Sequence, residues 1–322
     1  MHKSLVFAKF KLGLIYIKEF VFRISNQLLK YIFIRVCLIM VFVSIGKKSQ
    51  AQQGQVYESL TMPSKLLSQE VKYNIYLPPG YEQGEQDYPV VYLLHGNGDD
   101  HTSWSKKGKI NSIADRAIKN QEIPPLVIVM PDAGNTYYVN DISGKLPYED
   151  MFIQEFIPFI ENKYRIKQEK KYRGIAGLSM GGYGGLLYAI KHPELFNACA
   201  ALSAAIRSDE EIIDLDEAGY ERRYVHISGP GLKGTDRLTP YYRQHSILDL
   251  TKTIPVTELK KINYYLDCGD DDHLTQGNAL LHIQLTQLGI PHEYRSRNGG
   301  HNWGYWQSGI VDGLKFISES YR

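Results

Sequence analysis

The sequence is short of cysteine. Its 322 residues hold three, Cys37, Cys199 and Cys268. There is no C-x-x-C pair and no zinc-type spacing, which argues against a disulfide-built fold and a cysteine-bound metal centre. Cys199 and Cys268 fall in runs that read as strands, where a free thiol acts as a small hydrophobe. Basic surface is scarce as well. The net charge of +2 comes from the N-terminus, because residues 1–51 carry nine Lys/Arg and one acid, Glu19. Taking these from the totals of 37 and 35 leaves 28 basic and 34 acidic residues, about −6 for residues 52–322. That body has no basic stripe, so no nucleic-acid partner is expected. Long apolar runs are also missing. The run Tyr31–Gly46 is broken by Arg35 and falls short of the roughly 20 apolar residues of a spanning helix. Internal repeats and low-complexity linkers are absent.

What the N-terminus does have is a targeting pattern. Lys3, Lys9, Lys11, Lys18, Arg23 and Lys30 precede the apolar run, and Ser49-Gln50-Ala51 gives the small-x-small pattern of a signal-peptidase site. Residues 1–51 therefore read as a signal peptide, with a retained N-terminal anchor as the alternative. The expectation is an exported protein, periplasmic or extracellular, with no stable membrane association after cleavage.

Residues 52–322 suit one α/β domain. Val71–Leu77 alternates and closes at "PPGY". Val90–Leu94 and Leu126–Met130 are short, wholly apolar runs of the kind buried on both faces of a parallel sheet. Arg173–Ala176, Ala198–Leu202, Ile262–Cys268 and His292–Arg297 read as further strands. Helical patterns lie between them at Asn111–Asn120, Tyr148–Tyr164, Gly181–Lys191, Gln276–Leu288 and Tyr305–Ser318. Such alternation predicts a mostly parallel sheet flanked by helices. The polar segment 207–260 breaks the rhythm and reads as an insertion over one end of the sheet.

Within this frame "GLSMGG" at Gly177–Gly182 follows a strand and opens a helix. That is the context of the G-x-S-x-G elbow, whose sharp turn presents a serine at the carboxyl ends of the strands. The flanking glycines are needed because side chains there would collide with the neighbouring strand and helix. Ser179 is the candidate nucleophile, and a serine hydroxyl needs a base to take its proton. In this fold order the base comes late, and His301 in "RNGGHNWGYW" follows the last strand. His95, His192 and His292 read as structural. The acid that orients the base should follow the preceding strand, where Asp267, Asp270, Asp271 and Asp272 all lie in "YYLDCGDDDHL". Spacing alone does not choose among them, and the loop lacks the ligand spacing of a calcium loop. No metal and no cofactor are expected. Backbone N–H groups of Met180, and of Asn97 in the loop after "VVYLLHG", would form the oxyanion hole. The side chain of Asn97 has no assigned role.

Five separated segments, "YNIYLPPGY", "YPVVYLLHGNGDDHTSW", "IAGLSMGGYGGL", "YYLDCGDDDHL" and "GGHNWGYW", resemble the esterase family that contains esterase D, feruloyl esterases and the antigen 85 mycolyltransferases. The resemblance runs from about Tyr57 to the C-terminus. It implies an α/β-hydrolase fold and a Ser179, Asp272, His301 triad, the acid being the aspartate three residues after the strand-end Gly269. It also implies Asn97 as the second oxyanion donor. Nothing carries over to the 207–260 segment.

The expected function is a serine ester hydrolase acting through an acyl-enzyme on a small-molecule or polysaccharide-linked ester. Feruloyl esters of plant polysaccharide are favoured by the export signal and by Trp104, Tyr137, Tyr138, Trp303 and Trp306 in the loops around Ser179. Trp104, Tyr138 and Trp303 are the candidate substrate contacts. The polar 207–260 segment argues against long-chain lipids. The alternatives are a carbohydrate acetyl esterase, an S-formylglutathione-type thioesterase, a siderophore trilactone esterase, an acyltransferase, and a non-catalytic binding module.

Overall fold

The structure is a computed structural model that describes residues 18–35 and 53–321. Residues 18–35 form a helix exposed along its length and constitute a unit of their own. Among the described residues no helix is long and apolar enough to cross a membrane. The expected cleavage site at Ser49–Ala51 lies outside the described residues.

The second unit is built on one eight-stranded sheet. Its strands are β1 (Gln55–Ser64), β2 (Gln69–Leu77), β3 (Val90–Leu94), β4 (Val127–Pro131), β5 (Arg173–Leu178), β6 (Ala198–Leu202), β7 (Asn263–Gly269) and β8 (His292–Arg297). Their spatial order is β1-β2-β4-β3-β5-β6-β7-β8. The β1–β2 and β2–β4 pairs are antiparallel and the rest are parallel. This is the expected α/β-hydrolase sheet. Every residue of β3, β4, β5 and β6 is buried, as strands covered on both faces should be, and Arg173 at the start of β5 is paired with Glu161.

Alternation then sorts the side chains into two cores. Val90, Tyr92 and Leu94 face one layer, whereas Val91 and Leu93 face the other. The second layer is filled by helix α1 (Ile110–Lys119) through Ile110, Ile113 and Ala117, and by the last helix through Ile310, Leu314 and Ile317. The first takes α2 (Met180–Lys191) through Leu186, Leu187 and Ile190. It also takes the helix over residues 148–163, which carries a π-turn at Phe152–Phe156 just before Pro158, a residue with no N–H to give the ladder.

Segment 207–260 connects β6 to β7 as a chain of short helices. It is better packed than its polar composition suggests. Tyr220, Tyr224, Ile227, Tyr242, Ile247 and Leu259 are all buried in the first core. Helix α3 (Thr275–Gln287) then leads to β8, and α4 (Trp303–Glu319) closes the fold. β8 is an edge strand, partly exposed, with Glu293 and Arg295 paired along one face at 2.6 Å. The strand order reverses around β3. Its neighbours β4 and β5 leave in opposite directions, so a crevice opens at the carboxyl ends of β3 and β5.

Candidate active site

Ser179 stands at that crevice, between β5 and α2. Its backbone is held at φ 53°, ψ −118°, a left-handed conformation that a non-glycine residue keeps only when its surroundings fix it. The surroundings leave no choice. A Cβ on Gly177 would lie 2.4 Å from the Gly181 carbonyl, and one on Gly181 would lie 2.4 Å from Leu94 O. The Ser179 N–H donates to Leu202 O at 2.9 Å, and its carbonyl accepts from Ala205 N at 2.9 Å.

His301 and Asp272 come from the loops after β8 and β7. The Ser179 hydroxyl lies 3.0 Å from His301 Nε2. Nδ1 of the same ring lies 3.0 and 2.9 Å from the two oxygens of Asp272. A carboxylate only accepts, so Nδ1 carries the proton and Nε2 is the acceptor for the serine. Asp272 is buried, which pushes its carboxyl up. The hydrogen bonds from His301, the Leu274 N–H and the Ser203 hydroxyl outweigh burial and hold it below the ordinary carboxylate value.

The other three aspartates are engaged elsewhere. Asp267 is buried against Tyr305, Tyr265 and Arg297. Asp270 accepts the Gly299 N–H at 2.9 Å, and Asp271 is exposed. Asp272, His273 and His301 are the one group among the described residues whose ligand atoms lie close enough, within 4.8 Å, to hold a metal ion. A cation there would draw on the lone pairs that hold the chain of hydrogen bonds through His301.

The loop after β3 passes directly over Ser179. A Cβ on Gly96 would sit 3.5 Å from Ser179 Cβ, which brings Asn97 to the crevice. The side-chain Nδ2 of Asn97 is buried without a protein partner. Four contacts fix this loop. His95 donates from Nδ1 to Gly96 O at 2.9 Å and accepts the Ala133 N–H on Nε2 at 2.9 Å, and burial holds it below the usual histidine value. Trp104 Nε1 donates to Leu94 O at 2.9 Å, and the Tyr138 hydroxyl donates to His95 O at 3.0 Å.

These contacts correct the expectation that Trp104 and Tyr138 touch substrate. They are 1% and 0% exposed, and their polar ends are committed to the backbone beneath the loop. Tyr137 and Trp306 are buried too. Trp303 alone of the five aromatic candidates is partly exposed, edge-on to Trp104 and Trp306.

Two supports escaped the sequence reading. Trp306 packs edge-on against the His301 ring, with centroids 4.8 Å apart, and donates from Nε1 to Ser203 Oγ at 3.0 Å. Ser203, fully buried at φ 45°, donates its hydroxyl hydrogen bond to Asp272. The only hint is a serine placed just after the β6 run "ACAAL".

A small cavity of about 20 Å³ beside Ala205 is lined by Tyr183, Arg207, Tyr224 and Tyr242 and has room for one water. A wide concavity of about 770 Å³ lies near Pro89, Pro125 and Tyr321, at the opposite ends of the strands from Ser179.

A mostly parallel sheet with a serine at a β-to-α elbow, a histidine after the last strand and a loop of backbone amides over the serine defines the α/β-hydrolase class. Within that class the chain belongs to the family described as Putative esterase, whose model matches residues 64–317. A solved structure of a ferulic acid esterase superposes with a TM-score of 0.72 and 31% identity, over 84% of this chain and 100% of that one. An endo-1,4-beta-xylanase/feruloyl esterase of Xylanibacter ruminicola is 38% identical over 154 residues, 46% of this chain. The chain spans only 21% of that relative's length. An acetyl esterase of Caldicellulosiruptor saccharolyticus is 27% identical over 246 residues, 73% of this chain and 85% of the relative.

Proposed function

We propose that the protein is a serine carboxylic ester hydrolase that cleaves feruloyl-type esters of plant polysaccharides after export. The observation that carries the chemistry is the continuous run of hydrogen bonds from Ser179 through His301 to Asp272. Ser179 Oγ attacks the ester carbonyl while His301 Nε2 takes its proton. The N–H groups of Asn97 and Met180 receive the developing oxyanion, next to the N-terminus of α2, whose dipole favours negative charge. His301 returns the proton to the leaving alcohol, and water then releases the acid from Ser179 by the same route. Asp272 holds the His301 tautomer that makes each step possible.

The aryl acyl group rests on the similarity to the ferulic acid esterase, which spans that whole chain. It no longer rests on a ring-lined site, because of the aromatic residues first considered only Trp303 keeps an exposed face. A relative matched over 85% of its length is an acetyl esterase, and that is the second reading. The deciding measurement is kcat/KM for methyl ferulate against acetylated xylo-oligosaccharides and 4-nitrophenyl acetate. A tenfold preference for acetylated sugars, about 1.4 kcal/mol of transition-state binding, replaces the feruloyl reading with the acetyl one. Turnover that survives intact in Ser179→Ala overturns the serine mechanism itself. Export is tested by N-terminal sequencing of protein from the native envelope fraction, with Gln52 expected as the first residue.

A further inference from the structure

The geometry points to a second reactive serine. We propose that Ser59, with His101 and Asp132, forms a nucleophilic site apart from Ser179 that accepts a small acyl group from an activated donor such as an aryl ester. His101 Nδ1 lies 2.8 Å from Asp132 Oδ2, and its Nε2 lies 3.3 Å from Ser59 Oγ. The carboxylate can only accept, so the ring proton sits on Nδ1 and Nε2 presents its lone pair to the Ser59 hydroxyl. This repeats the order of roles at Ser179, and a separation of 3.3 Å is within the looseness of such bonds before a ligand binds.

The residue is also placed as a nucleophile would be. Ser59 is exposed, whereas His101 is buried, so the nucleophile is open to solvent and its base is shielded. Its φ is 54°, beside the 53° of Ser179, at the irregularity between Tyr57 and Leu60 where β1 slips against β2. The strained turn is held from below. The Ser59 N–H donates to Asn74 Oδ1 at 2.7 Å, Asn74 is fully buried, and its Nδ2 donates to Ser105 Oγ at 3.2 Å. Asp132 is fixed by accepting the Gly134 N–H at 3.0 Å.

The step balances without a co-reactant. Ser59 Oγ bonds to the acyl carbon of 4-nitrophenyl acetate, and its proton passes to His101 Nε2. The bond to the aryl oxygen breaks, 4-nitrophenolate leaves with the electron pair, and the imidazolium returns its proton to solvent. Because the Ser59 N–H is committed to Asn74, it gives no help to an oxyanion. The site therefore takes activated donors slowly and retains the acetyl group.

The test uses the full chain carrying Ser179→Ala, mixed with 4-nitrophenyl acetate at mildly alkaline pH. Nitrophenolate should appear in a single phase approaching one equivalent, with the acetyl group mapped to Ser59 by peptide mass spectrometry. His101→Gln should slow this phase roughly 10²-fold, the scale of a lost general base. In a chain with Ser179 intact, Ser59→Ala should remove the label and leave steady-state turnover unchanged. The rate in Ser179→Ala should also fall in deuterium oxide, a readout that needs no further variant. Acetyl groups found on lysines with Ser59 bare, equal labelling of Ser59 in His101→Gln, or no slowing in deuterium oxide each overturn the proposal. None of these outcomes bears on turnover at Ser179.

Discussion

Replacing Asp272 by asparagine changes one atom and should cost nearly all turnover. Oδ1 of Asp272 accepts the Leu274 N–H at 2.9 Å and also lies 3.0 Å from His301 Nδ1, whereas Oδ2 faces His301 at 2.9 Å. In the variant the amide oxygen stays with the Leu274 N–H, which has no other acceptor to turn to. The NH2 group then takes the Oδ2 position and faces Nδ1 as a donor. His301 must answer with a lone pair on Nδ1, so its proton moves to Nε2, where it points at Ser179. The imidazole can then no longer accept the serine proton. Loss of the correct tautomer in Ser-His-Asp enzymes is worth about 10⁴ in kcat, or about 5.4 kcal/mol of transition-state stabilisation. The assay is kcat on 4-nitrophenyl acetate, with thermal melting to show that the fold persists. Asp270→Asn and Asp271→Asn, measured alongside, should stay within a fewfold of the parent. A folded Asp272→Asn protein within tenfold of parent kcat would refute the tautomer argument.

Other perturbations separate support from contact. Trp104→Phe removes the indole N–H that Leu94 O accepts, so the unfolding free energy should fall by about 1–3 kcal/mol; kcat should drop through the loop while KM stays near the parent value, whereas a rise in KM alone would return Trp104 to the substrate. Gly181→Ala drives a methyl group into Leu94 O and should sharply lower the yield of folded protein, as seen by circular dichroism and solubility. His95 contributes to stability while neutral, because protonation removes the acceptor for the Ala133 N–H. Its folded pKa lies below the unfolded value, so that contribution is complete above about pH 6.5 and is lost as the pH falls through the lower folded value. Melting temperatures between neutral and mildly acidic pH should therefore fall less steeply in His95→Gln, whose side-chain oxygen still accepts that N–H.

Much of this was legible in the sequence because the signals were local. β3 and β6 lie where their apolar runs end, and Gly177 and Gly181 announce a turn that no side chain could enter. β1 was missed. "QVYESLTMPS" is an edge strand with four of its ten residues exposed and a slipped register at Tyr57/Leu60, so no period of two runs through it. Asp272 could not be told from its neighbours by spacing, since what singles it out is a bond to a ring 29 residues away. Trp104 and Tyr138 were misjudged for a related reason. An aromatic residue near a site reads the same in sequence whether its ring faces the ligand or props the loop from behind. Ser203 is legible only in three dimensions, where Trp306 and Asp272 meet it.

The charged edge strand has a consequence for how the protein behaves in concentrated solution. A parallel sheet that ends in a long apolar strand offers its unpaired backbone to any similar edge, and the result is aggregation. β8 ends the sheet with "HEYRSR", with Arg295 exposed and Glu293 half-buried on it. A second molecule adding a strand there would have to lay its own chain against that row of charges and strip their hydration. The same few residues that make β8 a weak strand by composition thus guard this edge of the sheet against such pairing, and an apolar replacement at Glu293 or Arg295 would weaken that guard without touching the site at all.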